Sequence, residues 1–450
     1  MLSLLLERYT MTRNVKRRDF LKLTAAGGLL SVFPTPAFAQ QQNANSKLNI
    51  ACIGIGGMGN ANLNEVRSEN IVALCDVNVD QLNDKKEHFP QAKLFQDYRK
   101  MYDEIEKEID AVVVSTPDHN HAPASILGMK LGKHCYCEKP LAHNVKEVRD
   151  MQAVAQEKKL ATQMGTQIHA GDNFRRVVEL VKAKAVGTIK EVHVWCGSRW
   201  GGRPFSTDTP PVPANIDWDI WLGPAEERPY HPQYFGGAWR CFWAFGNGTL
   251  GDMACHYMDL PYWALDIRLP KTVEAFSATP PTPEVAPAQL RVEYTYFHTE
   301  EELQRLGRLV WEGTLNWYDS GLKPAILREK NLPDWGNGVL FVGDEGMLMA
   351  DYNQRVLFPQ EKFADYQPPV QTIPRSVGHH REWFNACKAG TQDTTCNFDY
   401  SGTLAETVLL GAVAFRSGKK LEWDAVAMKA TNAHEADKFL SREYRKGWEV

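Results

Sequence analysis

The sequence has no apolar run of the ~20 residues needed to cross a bilayer, and its longest candidate, Leu23 to Phe33, is short and rich in glycine and alanine. It has no excess of positive charge. The 51 Lys and Arg against 55 Asp and Glu leave a formal charge of −4, which gives no electrostatic reason to seek nucleic acid or anionic lipid. No internal repeat or heptad register is present, so solenoids and coiled coils are excluded. Nine cysteines, an odd number, argue against a disulfide framework. Cys52, Cys75, Cys135, Cys137 and Cys196 sit inside apolar segments, where free thiols are usually buried. Cys135-Tyr136-Cys137 lacks partners at zinc-finger spacing, so no metal is expected there.

What is present begins with a targeting pattern. Lys16-Arg17-Arg18-Asp19-Phe20-Leu21-Lys22 is a twin-arginine motif, followed by the short apolar stretch and by Ala37-Phe38-Ala39, an A-x-A cleavage site. We expect residues 1–39 to be an export signal, with Met11 as an alternative start and a periplasmic or otherwise exported mature chain from near Gln40. Whether the signal is cleaved or kept as an anchor is open. Removing it takes the formal charge from −4 to −8. About 410 residues then remain, enough for two domains. Export does not contradict reduced thiols, because the twin-arginine route carries folded proteins.

The stretch Leu48 to Gly59, LNIACIGIGGMG, organises the rest. Leu48 to Ile53 reads as a buried parallel strand, and Gly54, Gly56 and Gly59 fit G-x-G-x-x-G. Gly54 permits the tight turn, Gly56 lets backbone approach a pyrophosphate, and Gly59 lets the following helix pack on the strand. Ile71 to Cys75 is a second strand ending at Asp76. A carboxylate there accepts hydrogen bonds from ribose hydroxyls and repels a 2′-phosphate, so NAD is preferred over NADP. Gly57 and Met58 complete the expected dinucleotide loop. Ile109 to Ser115 is a further strand, and Thr116-Pro117-Asp118-His119-Asn120-His121 is the loop at its carboxyl end, where open α/β sheets bind ligands.

His134 to Cys137 leads into Glu138-Lys139-Pro140. With the glycine fingerprint and the Thr116-Pro117 loop, this resembles the glucose-fructose oxidoreductase, inositol dehydrogenase and rhizopine-catabolism family, written Gfo/Idh/MocA. The resemblance covers nearly the whole mature chain. It implies an α/β chain with a Rossmann dinucleotide-binding domain over 40–166, and a C-terminal α+β domain over 167–450. The second domain would carry a large, mainly antiparallel open sheet that mediates homo-oligomers. It also implies that Lys139 lies beside nicotinamide and the reacting hydroxyl. An ammonium there stabilises developing alkoxide. Thr116, Pro117, His119, His121, Glu138 and Gln167 join the expected cofactor site.

In the second domain, Ile189 to Cys196 alternates apolar and polar side chains, as a half-solvated strand does. Phe205 to Ala225 is too irregular for core sheet. Seven of the thirteen tryptophans fall from Trp195 to Trp263, interspersed with Arg199, Arg203, Tyr230, Tyr234 and Arg240. Such mixtures of flat rings and polar groups suit sugars, although most of the rings are expected to cover apolar surface. A helix beginning near Gly251 would set Asp252 and His256 on one face, with Asp259 three residues further. A histidine there can take an alcohol proton while a carboxylate orients it, and the family carries D-x-x-x-H at this place with its histidine usually assigned as base. Other readings stay open: Asp252 as a helix cap, the pair as a structural hydrogen bond, or a metal site completed by Asp259. His169, Trp200, Arg203, Tyr234 and Arg240 join Lys139, Asp252 and His256 as candidate sugar ligands.

These residues point to an NAD(P)-dependent oxidoreductase acting on a sugar, sugar derivative or cyclitol hydroxyl. An exported enzyme has no ready means of reloading NAD, so a tightly held, recycled cofactor is expected. Two alternatives share the residues: an NAD-dependent glycoside hydrolase or lyase working through a transient keto-sugar, and a non-catalytic sugar-binding protein.

Overall fold

The structure is a computed structural model that describes residues 46–308 and 310–450; the twin-arginine motif and cleavage site lie outside the described residues. No helix among them is long and apolar enough to cross a membrane.

Six strands, all parallel, form the first sheet in the order Lys93–Phe95, Asn70–Cys75, Asn49–Ile53, Ala111–Val114, His134–Cys137, Thr162–Met164. The central strands, Asn49–Ile53, Asn70–Cys75 and Ala111–Val114, are mainly apolar, as strands buried on both faces are. Chain order reverses between Asn49–Ile53 and Ala111–Val114, which opens a crevice at their carboxyl ends. The loop expected after Ser115 is a short 3-10 turn, Asp118–Asn120, that runs into the helix His121–Lys130.

The second sheet has nine strands, in the order Arg355–Phe358, Met347–Ala350, Gly338–Gly343, Ile189–Trp195, Thr314–Tyr318, Arg291–Thr295, Thr272–Phe276, Leu421–Asp424, Lys429–Ala430. Every pairing is antiparallel except that of Ile189–Trp195 with Thr314–Tyr318. The buried 20-residue helix Phe398–Ser417 packs against one side of this sheet and against the helices Val145–Lys158 and Gly248–Tyr257. It thereby braces both domains.

The chain does not stay in the second domain after residue 167. The helix His379–Ala389 returns to the parallel sheet, where Trp383 and Phe384 join Ile50, Val113 and Tyr136 in one apolar cluster. Near the C-terminus, Trp448 packs on Tyr98 and under the Arg99 guanidinium. Residues 197–247, which include the irregular stretch expected at Phe205 to Ala225, cross back in the same way. Val79 N–H donates to Asn215 O (3.0 Å), Asp217 N–H donates to Val77 O (3.1 Å), and Asn78 pairs with Ile216. This strap lies over the part of the crevice lined by Asp76 and Asn78.

Candidate active site

A cleft of about 740 Å³ opens at the carboxyl ends of the parallel strands. One wall is the glycine loop. Gly54 has φ +76°, and a Cβ there would lie 2.8 Å from the Ser115 carbonyl group. A Cβ on Gly59 would come within 2.0 Å of Gly54 O, so the helix Met58–Val66 seats only on glycine. Gly57, at φ +49°, has nothing within 4 Å of where its Cβ would be and leaves backbone open to a ligand. Asp76 accepts from the Ile55 and Asn78 N–H groups, both at 2.9 Å. Burial raises its pKa. Two bonds leave carboxylate lone pairs for hydroxyls. Thr116 Oγ1 and His121 Nδ1 line the same cleft, buried and without protein partners, as an absent polar ligand would leave them. Loop, acid and orphaned atoms fit a dinucleotide.

The opposite wall carries a cluster of charged and titratable side chains. The Lys139 ammonium donates to Asp252 Oδ1 and to Asp252 O, each at 2.6 Å. Arg240 Nε donates to Asp252 Oδ1 and Trp200 Nε1 to Oδ2, both at 2.7 Å. Although burial opposes it, the two cations hold the Asp252 carboxyl far below the usual range. Asp252 therefore anchors Lys139 rather than orienting His256. Two charge-assisted partners outcompete a neutral imidazole. His256 lines the cleft and makes no hydrogen bond among the described residues, and burial beside Lys139 pushes its pKa down to about 3. It is a neutral ring, and a weaker base than an exposed imidazole.

The helix bearing Asp252 and His256 runs Gly248–Tyr257, starting a turn earlier than the sequence suggests, so Asp252 is interior and not a cap. It breaks at Met258, and Asp259 opens the next helix, Asp259–Leu265. Asp259 is withdrawn from the cleft. It takes His169 Nδ1 at 2.8 Å and the Tyr400 hydroxyl at 2.7 Å, with the His169 ring stacked on Trp263. Among the described residues Asp252 and His256 do not gather with Asp259; the group whose atoms lie within 4.8 Å of one another is instead His169, Asp259 and Cys396, all buried.

Glu138 faces inward beneath Lys139. Its Oε1 accepts from Asn62 Nδ2 (2.9 Å) and Gln167 Nε2 (2.7 Å), while His380 Nε2 meets Asn62 Oδ1 (3.0 Å) and its ring stacks on Tyr136. Gly165 leaves room for that carboxylate, since a Cβ would sit 2.4 Å from its Oε1. Gln167 thus supports the floor of the site and does not line it. His119 is likewise below the surface, with Nε2 2.9 Å from Trp221 O, where it pins the strap. Arg203 is exposed and outside the cleft. Gly54, Gly56, Gly57, Met58, Asp76, Thr116, Pro117, His121, Glu138, Lys139, Trp200, Tyr234, Arg240, Asp252 and His256 all reach the cleft.

Asp118 was not singled out from sequence. Buried on the cleft wall, it faces Arg240, Lys139 and Asp252, and burial raises its carboxyl to about 7. Its place after Thr116-Pro117, at a strand's carboxyl end, was the available signal. Trp221 and Asn78 in the cleft lining were also missed, because they meet only when the strap folds back.

Two family models match: the oxidoreductase family's NAD-binding Rossmann fold over residues 48–166, and its C-terminal alpha/beta domain over 185–301. Together they cover just over half of the sequence, and the chain belongs to the Gfo/Idh/MocA oxidoreductase family. A myo-inositol 2-dehydrogenase of Thermotoga maritima is 29% identical over 150 residues, 33% of this chain and 43% of the relative. An alpha-N-acetylgalactosaminidase of Shewanella oneidensis is 26% identical over 206 residues, 39% of this chain and 44% of the relative. The chain thus spans less than half the length of these curated relatives. The fold is shared with the Bordetella pertussis WlbA dehydrogenase, solved in complex with NADH and UDP-GlcNAcA. That match has TM-score 0.58 and 17% identity, and covers 84% of this chain and 99% of the other.

Proposed function

We propose that this protein oxidises a ring hydroxyl of a sugar, sugar derivative or cyclitol, using NAD. One observation carries the reading: Lys139, anchored by Asp252, and the neutral His256 share a cleft with the glycine loop. When bound, the dinucleotide supplies the hydride acceptor. Lys139 donates a hydrogen bond to the substrate oxygen and stabilises negative charge as it develops. His256 takes the hydroxyl proton on a ring nitrogen. Asp252 fixes the ammonium, with Arg240 and Trp200 holding its carboxylate. Trp200, Tyr234 and Arg240 offer ring faces and donors to a sugar.

The strap supports a cofactor that stays bound and is recycled, so that the overall reaction is redox-neutral. This fits the export expected from the twin-arginine motif, and assembly through the nine-stranded sheet. The galactosaminidase relative favours a second reading, glycoside cleavage through a transient keto-sugar. There the carbonyl acidifies the neighbouring C–H, the glycosidic oxygen leaves, water adds, and the carbonyl is reduced again. Incubating the full chain with candidate sugars, cyclitols and glycosides, with hydroxylamine to trap carbonyls and without it to follow cleavage and NADH, distinguishes the two. A trapped keto-sugar without glycoside cleavage supports the oxidoreductase, and a cleaved glycoside without net NADH supports the second reading. Neither product from any substrate, with sugar binding intact and unchanged in His256→Ala, would leave a non-catalytic binding protein.

A further inference from the structure

Behind the catalytic wall lies a second cavity, of about 620 Å³, with no part in the chemistry described above. Arg416 stands out in its lining. It ends the long buried helix, and its guanidinium lies over the rings of Phe439 (4.3 Å) and Trp243 (5.2 Å). Among the described residues it forms no ion pair or hydrogen bond. Burial alone lowers its pKa, to about 10. A guanidinium clamped between two rings and lacking a carboxylate is a pre-set fork for an oxyanion.

The neighbouring groups share this lack of partners. Arg442 spends Nε and Nη2 on Glu147, and Nη2 also reaches His119 O, but its Nη1 is buried without an acceptor. Arg228 pairs with Glu284 through Nη1 and leaves Nε buried and unpartnered. The Asn144 amide nitrogen is also buried without a partner among the described residues. Buried polar atoms are ordinarily satisfied, and three unpartnered nitrogens belong to residues lining this one cavity. Lys438 adds a cation with no ion pair. The lining acids without a recorded partner, Glu226, Glu227 and Glu443, are exposed.

We propose that this cavity binds a small molecule bearing a phosphate or carboxylate group, with Arg416 as the principal donor and Arg442 and Lys438 completing the cationic wall. The site is separate from the cleft but shares a wall with it. Asn247 donates to His143 O (3.2 Å) on one side and hydrogen-bonds Asp118 on the other.

The test is calorimetric titration of the full chain with inorganic phosphate and, separately, with glucuronate, at constant ionic strength. We expect saturable one-to-one binding of at least one probe, weakened about tenfold or more in Arg416→Met, which keeps the packing between the rings, and about threefold in Lys438→Gln. Arg416→Lys should fall between wild type and Arg416→Met. Phosphate binding without glucuronate binding would assign the site to phosphate esters, and the reverse to sugar acids. Failure of both probes to saturate the wild-type chain, or equal affinity in wild type and Arg416→Met, would overturn the proposal.

Discussion

Asp252 is the residue on which the catalytic wall depends, because it neutralises one of two adjacent cations and is itself held by three donors. Asp252→Asn should release Lys139 and lower kcat more than it raises KM. Lys139→Met and His256→Ala should each cut kcat/KM by about 10²-fold or more, measured on whichever substrate the chain turns over. His256 must be neutral to accept a proton, and its pKa of about 3 keeps it so at all ordinary pH. The acid limb of kcat/KM should therefore not show the inflection near 6.5 of an exposed histidine. Asp118 titrates instead. Below about pH 7 it is neutral and the Lys139, Arg240, Asp252 cluster carries net +1. Above that pH its charge cancels the excess. Affinity for a carboxylate-bearing substrate analogue should fall as pH rises through about 7, and Asp118→Asn, fixed in the neutral form, should abolish the fall in an inhibition titration.

At the scale of elements, the glycine loop and the strap do different work. Gly59→Ala drives a methyl into Gly54 O and cannot be absorbed by a side-chain rotation, because the obstacle is backbone. It should abolish NAD binding in a fluorescence titration while the sheet's far strands remain folded. Asp217 caps the short strap helix Trp218–Leu222 by accepting from the Ile220 N–H. Loss of such a cap costs about 1 kcal/mol, so Asp217→Ala should speed NAD loss on dialysis about fivefold without changing the rate of the chemical step. Although the three-residue edge strand Lys93–Phe95 showed no pattern, the central strands Asn49–Ile53, Asn70–Cys75 and Ala111–Val114 were legible as apolar runs. The strap was not. Its tryptophans carry no period, and whether Trp221 faces sugar, core or cofactor depends on contacts with residues some 140 positions earlier. The edge strands Arg355–Phe358 and Lys429–Ala430 escaped for a related reason: they are too short to show alternation.

At the scale of the whole molecule, the sequence motifs named the dinucleotide loop, Lys139 and the D-x-x-x-H pair, but not how charge is shared among them. Asp252 and His256 are a helical turn apart, as spacing requires, yet the carboxylate bonds to Lys139 and Arg240 from other segments, and only the fold brings those three together. The same long-range closure makes the C-terminal helices part of the first domain's core and lets residues 197–247 lie across the crevice. A chain closed over its cofactor site in this way should retain what it binds. The measurement that tests this most directly is to purify the full chain without added cofactor, denature it, and assay the supernatant for NAD(H) and NADP(H). Near-stoichiometric NAD(H) is the predicted result. Empty protein that binds NAD weakly and exchanges it freely would contradict a retained, recycled cofactor.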